Sequence, residues 1–142
     1  MLRLRGHTIN GGRAEGEAVV TSIPFSFAGE LDAATGAVPS PGQDIFGENI
    51  AGKILVCPTG RGSSGGPSVL WLAKANGVAP AAILCVEAEP VIAIASITAD
   101  IPMMDRLERN PLEVIKSRDY VVVDATQGTI EIEGRHGEAG HP

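Results

Sequence analysis

Apolar and polar side chains alternate through residues 2–9 and again through 14–21, which is the period of strands with one buried face. Asn10-Gly11-Gly12 between them supplies turn chemistry, so the chain is predicted to open as a meander whose first two strands meet in a hairpin or a tight corner. From Ile23 to Ile50 no period is sustained, and Pro24, Pro39, Pro41, Gly29, Gly36, Gly42 and Gly47 mark a long irregular excursion. Loops of this length in compact domains usually serve function or a partner. Continuous apolar runs then appear at 53–57 and 81–86, each read as a strand buried on both faces. A helix over 67–76 lies between them, with Pro67 in its first turn and Gly77 as a left-handed C-terminal cap. Together they form a β-loop-α-β crossover with parallel strands.

The stretch from Glu89 to Ala99 fits a short helix opened by Pro90, and its Val and Ile content equally allows a strand. Asn110-Pro111 is an N-cap followed by a first-turn proline, predicting a short helix through Lys116. Strands at 120–124 and 129–133 flank Gln127-Gly128 and close a single domain over residues 1–134, leaving a flexible polar tail at 135–142. His136 and His141 fall in that tail and are expected to be solvated.

Composition narrows the function classes. With 142 residues, 44% of them hydrophobic, the chain can bury one ordinary core. A net charge of −6 without any basic stripe argues against nucleic-acid binding. The start, Met1-Leu2-Arg3-Leu4-Arg5-Gly6-His7, is unlike a signal peptide, and no apolar run reaches membrane-spanning length, so a cytoplasmic protein without membrane contact is expected. Cys57 and Cys85 lie inside the buried runs, where free cysteine acts as a small hydrophobe, and neither has a neighbouring ligand at metal spacing.

Chemistry concentrates in Pro58-Thr59-Gly60-Arg61-Gly62-Ser63-Ser64-Gly65-Gly66-Pro67, between a strand and a helix start. Glycines allow close backbone approach, a helix N-terminus carries partial positive charge, and arginine grips carboxylate or phosphate. An anion site built from Arg61, Gly62, Ser63, Ser64 and Gly65 follows, with a simple serine-capped glycine turn as the plainer alternative. Gly60, Gly62 and Gly65 also fit a dinucleotide fingerprint, but Pro67 and the shortage of further β-α units oppose a nucleotide domain. The run 62–66 fits a serine-hydrolase elbow, yet His7 precedes the serines and the other histidines are in the tail. A Walker loop fails because no Gly-Lys-Ser/Thr follows. A serine here without histidine or lysine nearby needs Arg61 and the helix terminus to stabilise its alkoxide in a water-poor pocket, which a domain of this size hardly encloses alone.

In this loop, and in Gly12-Arg13-Ala14-Glu15-Gly16-Glu17-Ala18, Pro24-Phe25-Ser26-Phe27, Ala79-Pro80-Ala81-Ala82-Ile83, Glu87-Ala88-Glu89-Pro90 and Ile101-Pro102-Met103, the sequence resembles the small subunit of aconitase X, a dehydratase branch of the aconitase superfamily. The likeness runs from Gly6 to about Gly134, with Gly66-Pro67-Ser68-Val69 departing from the serine-tyrosine pair common in relatives. It implies an α/β swivelling β/β/α domain like the mobile fourth domain of aconitase, docked on a large catalytic subunit that carries an iron or iron–sulfur centre. No metal or cofactor is then expected on this chain. The resemblance makes Ser63 the catalytic base, assigns substrate charge to Arg61, and gives Ser64 a capping or assisting role. The substrate implied is a small carboxylate, with cis-3-hydroxy-L-proline dehydration taken first; phosphomevalonate dehydration, or a carboxylate- or phosphate-binding module without chemistry, stands as the alternative. Arg13, Glu15 and Glu17 alternate as a solvated strand face would, and Glu87 and Glu89 read as loop surface near a strand end where α/β proteins bind ligands.

Overall fold

A computed structural model describes residues 1–134; the expected tail, with His136 and His141, lies outside the described residues. Eight strands form one mixed sheet: β1 (Leu2–Arg5), β2 (His7–Asn10), β3 (Arg13–Val20), β4 (Ile54–Cys57), β5 (Ala82–Cys85), β6 (Met103–Asp105), β7 (Tyr120–Asp124) and β8 (Thr129–Glu133). Their order is β1-β8-β7-β3-β4-β5-β6-β2, parallel from β3 to β6 and antiparallel on either side. Only Gly6 separates β1 from β2, yet these are the two edges. The sheet therefore curls until its edges meet, forming a near-barrel, with Gly6 N–H bonded to the Gly128 carbonyl at the seam. A side chain at Gly6 would overlap Leu107.

The expected opening meander is not formed. β2 pairs with β6, and β3 with β7 and β4, so Asn10-Gly11-Gly12 is a corner rather than a hairpin. Gly12, at φ +126°, turns the chain, and the Thr8 hydroxyl ties β2 to the Ala125 carbonyl. Pairing β3 between β7 and β4 buries Ala18 and Val19 on opposite sides, which a two-stranded hairpin could not do.

The crossover forms as expected: β4, then α2 (Gly66–Ala75), then β5 in parallel register with β4. Gly77 has φ +75° just beyond the helix, in the left-handed conformation that glycine adopts without steric cost. Alternate residues of the two strands feed two cores. Leu55, Cys57, Ile83 and Cys85 pack with Leu70, Ala73, Ile92 and Ala95 of the helical layer. Ile54, Val56, Ala82 and Leu84 pack with Val121, Val123, Ile130 and Ile132 of the antiparallel strands. This is the β/β/α layering. The thiols of Cys57 and Cys85 lie 3.5 Å apart and fully buried; the contact with Cys57, together with burial, pushes the Cys85 thiol well above its ordinary range and keeps it protonated.

Glu89 to Ala99 resolves as a helix, α3 (Pro90–Ala99), because the Glu89 carboxylate accepts the Val91 and Ile92 N–H groups and Pro90 fixes the first turn. α4 (Pro111–Val114), capped by Asn110, ends two residues before Lys116, since Ile115 leaves the helix in extended conformation to reach the core. The excursion over 23–50 is irregular apart from the single turn α1 (Phe27–Glu30).

Candidate active site

The loop from Pro58 to Gly66 is clamped between two segments. On one side Phe25 forms a parallel bridge to Gly60, its N–H bonding the Thr59 carbonyl at 3.0 Å and its carbonyl accepting Arg61 N–H at 3.1 Å. On the other side lies the capped start of α3: a Cβ on Gly60 would run into the Glu89 carboxylate and Ile92. Gly60 is thus required by close approach, and Gly62, at φ +39°, by backbone conformation.

These constraints bring Arg61, Gly62 and Ser63 to one cleft with Phe25, Ser26, Phe27, Gly66 and Glu89. Ser63 is half-buried there, whereas Ser64 and Gly65 are exposed and outside the lining. Neither serine caps α2. The N-cap is Gly65, with no side-chain hydrogen bond, because Gly66 N–H already reaches the Ser63 carbonyl at 2.9 Å and Pro67 has no N–H to satisfy. The same facts leave the helix start with fewer free amides than the sequence suggests. Among the described residues neither serine hydroxyl has a protein partner, and no histidine lines the cleft.

The cleft has a volume of about 10 Å³, enough for roughly one water. A separate shallow groove of about 540 Å³, which shares Glu89 with the cleft, lies over the carboxyl ends of β4 and β5, lined by Pro58, Thr59, Val86, Glu87 and Ala88. This is where open α/β sheets hold ligands. Glu87 is exposed in that groove, and Glu89 is occupied as a helix cap. Glu15 accepts a hydrogen bond from the Tyr120 hydroxyl and Glu17 pairs with Lys53 at 3.2 Å, so both belong to the outer face of β3 and neither reaches the cleft.

Sequence reasoning missed the partner of Arg61. Its Nη2 donates to Oε2 of Glu30, a carboxylate only 2% exposed, whose Oε1 accepts Ser26 N–H at 2.8 Å and Gln43 Nε2 at 3.0 Å. Ser26 stands at the N-cap position of α1 without a side-chain cap bond, and Glu30 follows four residues on, one position beyond capping-box spacing, which is the one signal the sequence offers. Among the described residues no group of three or more His, Cys, Asp or Glu side chains could hold a metal ion. No described helix is long and apolar enough to cross a membrane.

Comparison with known proteins gives these features a family. The model of the aconitase X swivel domain matches residues 3–132. The chain belongs to the aconitase X swivel-domain family. It is 46% identical over 131 residues to the phosphomevalonate dehydratase small subunit of Methanocella arvoryzae, covering 92% of this chain and 99% of that one. Against the protein of the same description from Methanococcoides burtonii it is 42% identical over 134 residues, covering 94% and 98%. Among solved structures, the holo-form of Thermococcus kodakaraensis aconitase X superposes with a TM-score of 0.87 at 44% identity, covering 93% and 98%. The swivelling fold expected from the sequence is therefore the fold of this aconitase X family member, over almost its whole described length.

Proposed function

We propose that this chain is the small subunit of a two-chain aconitase X hydro-lyase and that its substrate is phosphomevalonate. The observation that carries the reading is Ser63, a half-buried hydroxyl beside Arg61 with no protein partner among the described residues, in a chain that aligns over 92% and 94% of its length with two dehydratase small subunits. Those names favour phosphomevalonate over cis-3-hydroxy-L-proline, the substrate taken first from the sequence.

Dehydration removes a proton from one carbon and a hydroxyl from its neighbour. Ser63 Oγ takes the proton; the Arg61 guanidinium and the positive end of α2 lower the cost of the alkoxide this requires. An iron or iron–sulfur centre on the large subunit supplies the Lewis acid for the departing hydroxyl. A cleft of about 10 Å³ holds no such substrate, since ligand sites run to roughly 300–1,000 Å³. The large subunit therefore forms the opposite wall and excludes water. Arg61 faces the anionic end of the substrate, and the Gly62 turn lets the backbone approach it.

The test is co-expression with the large subunit under anaerobic conditions and measurement of alkene formation from phosphomevalonate. The complex turns over, the chain alone does not, and Ser63→Ala loses about 100-fold or more in rate. Full activity of Ser63→Ala would remove Ser63 as the base, an assembled complex that binds phosphomevalonate without turnover would favour a carboxylate- or phosphate-binding module, and turnover of cis-3-hydroxy-L-proline in preference would restore the other substrate.

A further inference from the structure

A carboxylate buried inside an irregular excursion needs an explanation, because burial strongly penalises its charge unless partners compensate. Glu30 lies in the same segment as Phe25, Phe27 and Leu31, which are buried in the helical core. Two of its side-chain partners belong to the candidate site. Oε2 receives Arg61, while Oε1 receives the N–H of Ser26, a cleft residue, and Nε2 of Gln43. Gln43 is itself 3% exposed and oriented from both ends: its Oε1 lies 2.7 Å from the Thr21 hydroxyl, whose proton it shares with the Asp44 carboxylate, and its Nε2 also reaches the Pro24 carbonyl at 3.0 Å. Two distant positions of the excursion, Ser26 and Gln43, thus fix one carboxylate, and that carboxylate bonds one guanidinium nitrogen.

Among the described residues no other protein acceptor bonds the Arg61 side chain, which is about half exposed. We propose, resting on the dehydratase reading, that Glu30 is a positioning residue: it fixes Arg61 by one edge so that the other edge and the adjoining Gly62-Ser63 backbone keep a constant aim at the bound anion. The partly buried pair also tempers the positive charge beside Ser63. The guanidinium then directs the substrate without holding it so tightly in the ground state that the gain in the transition state is lost.

Glu30→Gln is the discriminating change, because its amide keeps the size of the carboxylate and an acceptor for Ser26 and Gln43 but removes the charge that holds Arg61. In the assembled enzyme it lowers kcat by about 10- to 100-fold, the usual scale of a misplaced contact. In an Arg61→Ala background the same change alters kcat less than about twofold, since Glu30 acts through Arg61. Losses that multiply independently would overturn the proposal. A second readout needs no catalysis: amide NMR signals of residues 60–64 shift or broaden in Glu30→Gln chain while those of β7 and β8 stay in place. Unmoved loop signals would also overturn it. If the assembled parent complex shows no dehydration, the dehydratase reading fails by itself, and the loop signals alone decide the role of Glu30.

Discussion

The β4-α2-β5 crossover and the excursion over 23–50 touch the same loop but are held together differently. In the crossover each buried strand residue finds an apolar layer on its side of the sheet, so almost any well-fitting hydrophobe would serve. In the excursion the backbone lacks a period, and buried polar side chains, Glu30 and Gln43 in particular, specify its path through bonds that only those groups make. The crossover makes the domain stable. The excursion holds Arg61 through Glu30 and the Phe25 carbonyl, next to Ser63 in the loop. A family member can therefore tolerate repacking beneath the sheet while remaining sensitive to single polar changes far from Ser63 in sequence.

Separating stability from rate breaks the comparison most severely. Leu55→Ala or Ile83→Ala, each emptying a fully buried position, costs about 2–5 kcal/mol of stability in denaturant titration. The rate per folded enzyme stays near the parent value. A large fall in that rate at unchanged stability would mean that the crossover, too, sets the geometry of the site. Gly60→Ala should do the reverse. Its methyl collides with the Glu89 carboxylate and Ile92, pushing the loop off its seat and lowering kcat about 100-fold, the scale of a displacement near 1 Å. Gly60 is buried, so some stability is lost as well, and the rate is read per folded enzyme. Retention of the parent rate would show that the loop is reset by the partner subunit instead.

What the sequence revealed follows the same division. Apolar runs at 53–57 and 81–86, with Pro67 and Gly77 framing the helix between them, report local rules, and each appears where expected. Pairings between distant strands were not legible: the alternation in His7–Asn10 says that one face is buried but not that its partner is Met103–Asp105, nearly a hundred residues away. Glu89 to Ala99 was ambiguous because Val and Ile suit both periods, and the deciding contact, a carboxylate folded back on its own helix start, is a matter of side-chain conformation. Within the candidate site, Arg61, Gly62 and Ser63, singled out from the glycine-rich loop and its charge, line the cleft, whereas Ser64 and Gly65, grouped with them by adjacency, are exposed outside its lining. Glu30 was hidden in a stretch without period, where sequence distance says nothing about proximity.

A smaller change probes the wall that both regions share. Glu89→Ala removes the cap from α3, leaving the Val91 and Ile92 N–H groups unsatisfied, and lowers stability by about 1 kcal/mol in thermal or chemical unfolding. It also withdraws the carboxylate against which Gly60 is seated. Combined with Gly60→Ala it should relieve part of the collision, so that the double variant is faster than Gly60→Ala alone. A double variant slower than either single one would mean that Glu89 supports the loop in some way other than contact.

The smallest expected effect tests whether hydrogen bonds to charge hold the excursion at its root. Burial pushes the Asp44 carboxyl up, but the Thr21 hydroxyl, the Ser22 N–H and the Ser22 hydroxyl bond its ionised form and bring it below its ordinary value of 3.8. A lowered folded-state value means that the unfolded chain binds the proton more readily. The stabilisation is fully present above about pH 3.8 and disappears as pH falls through the folded-state value. Asp44→Asn lacks this dependence. Its deficit in melting temperature against the parent is expected to be small and constant from neutral pH down to about 5, then to shrink toward pH 3 as the parent loses its advantage. Amide exchange at Ser22, measured at neutral pH, should be faster in the variant for the same reason. Parallel melting curves across the whole range would mean that Thr21 and Ser22 are held by the packing around Gln43 and not by the carboxylate. The root of the excursion would then resemble the crossover, secured by fit rather than by charge.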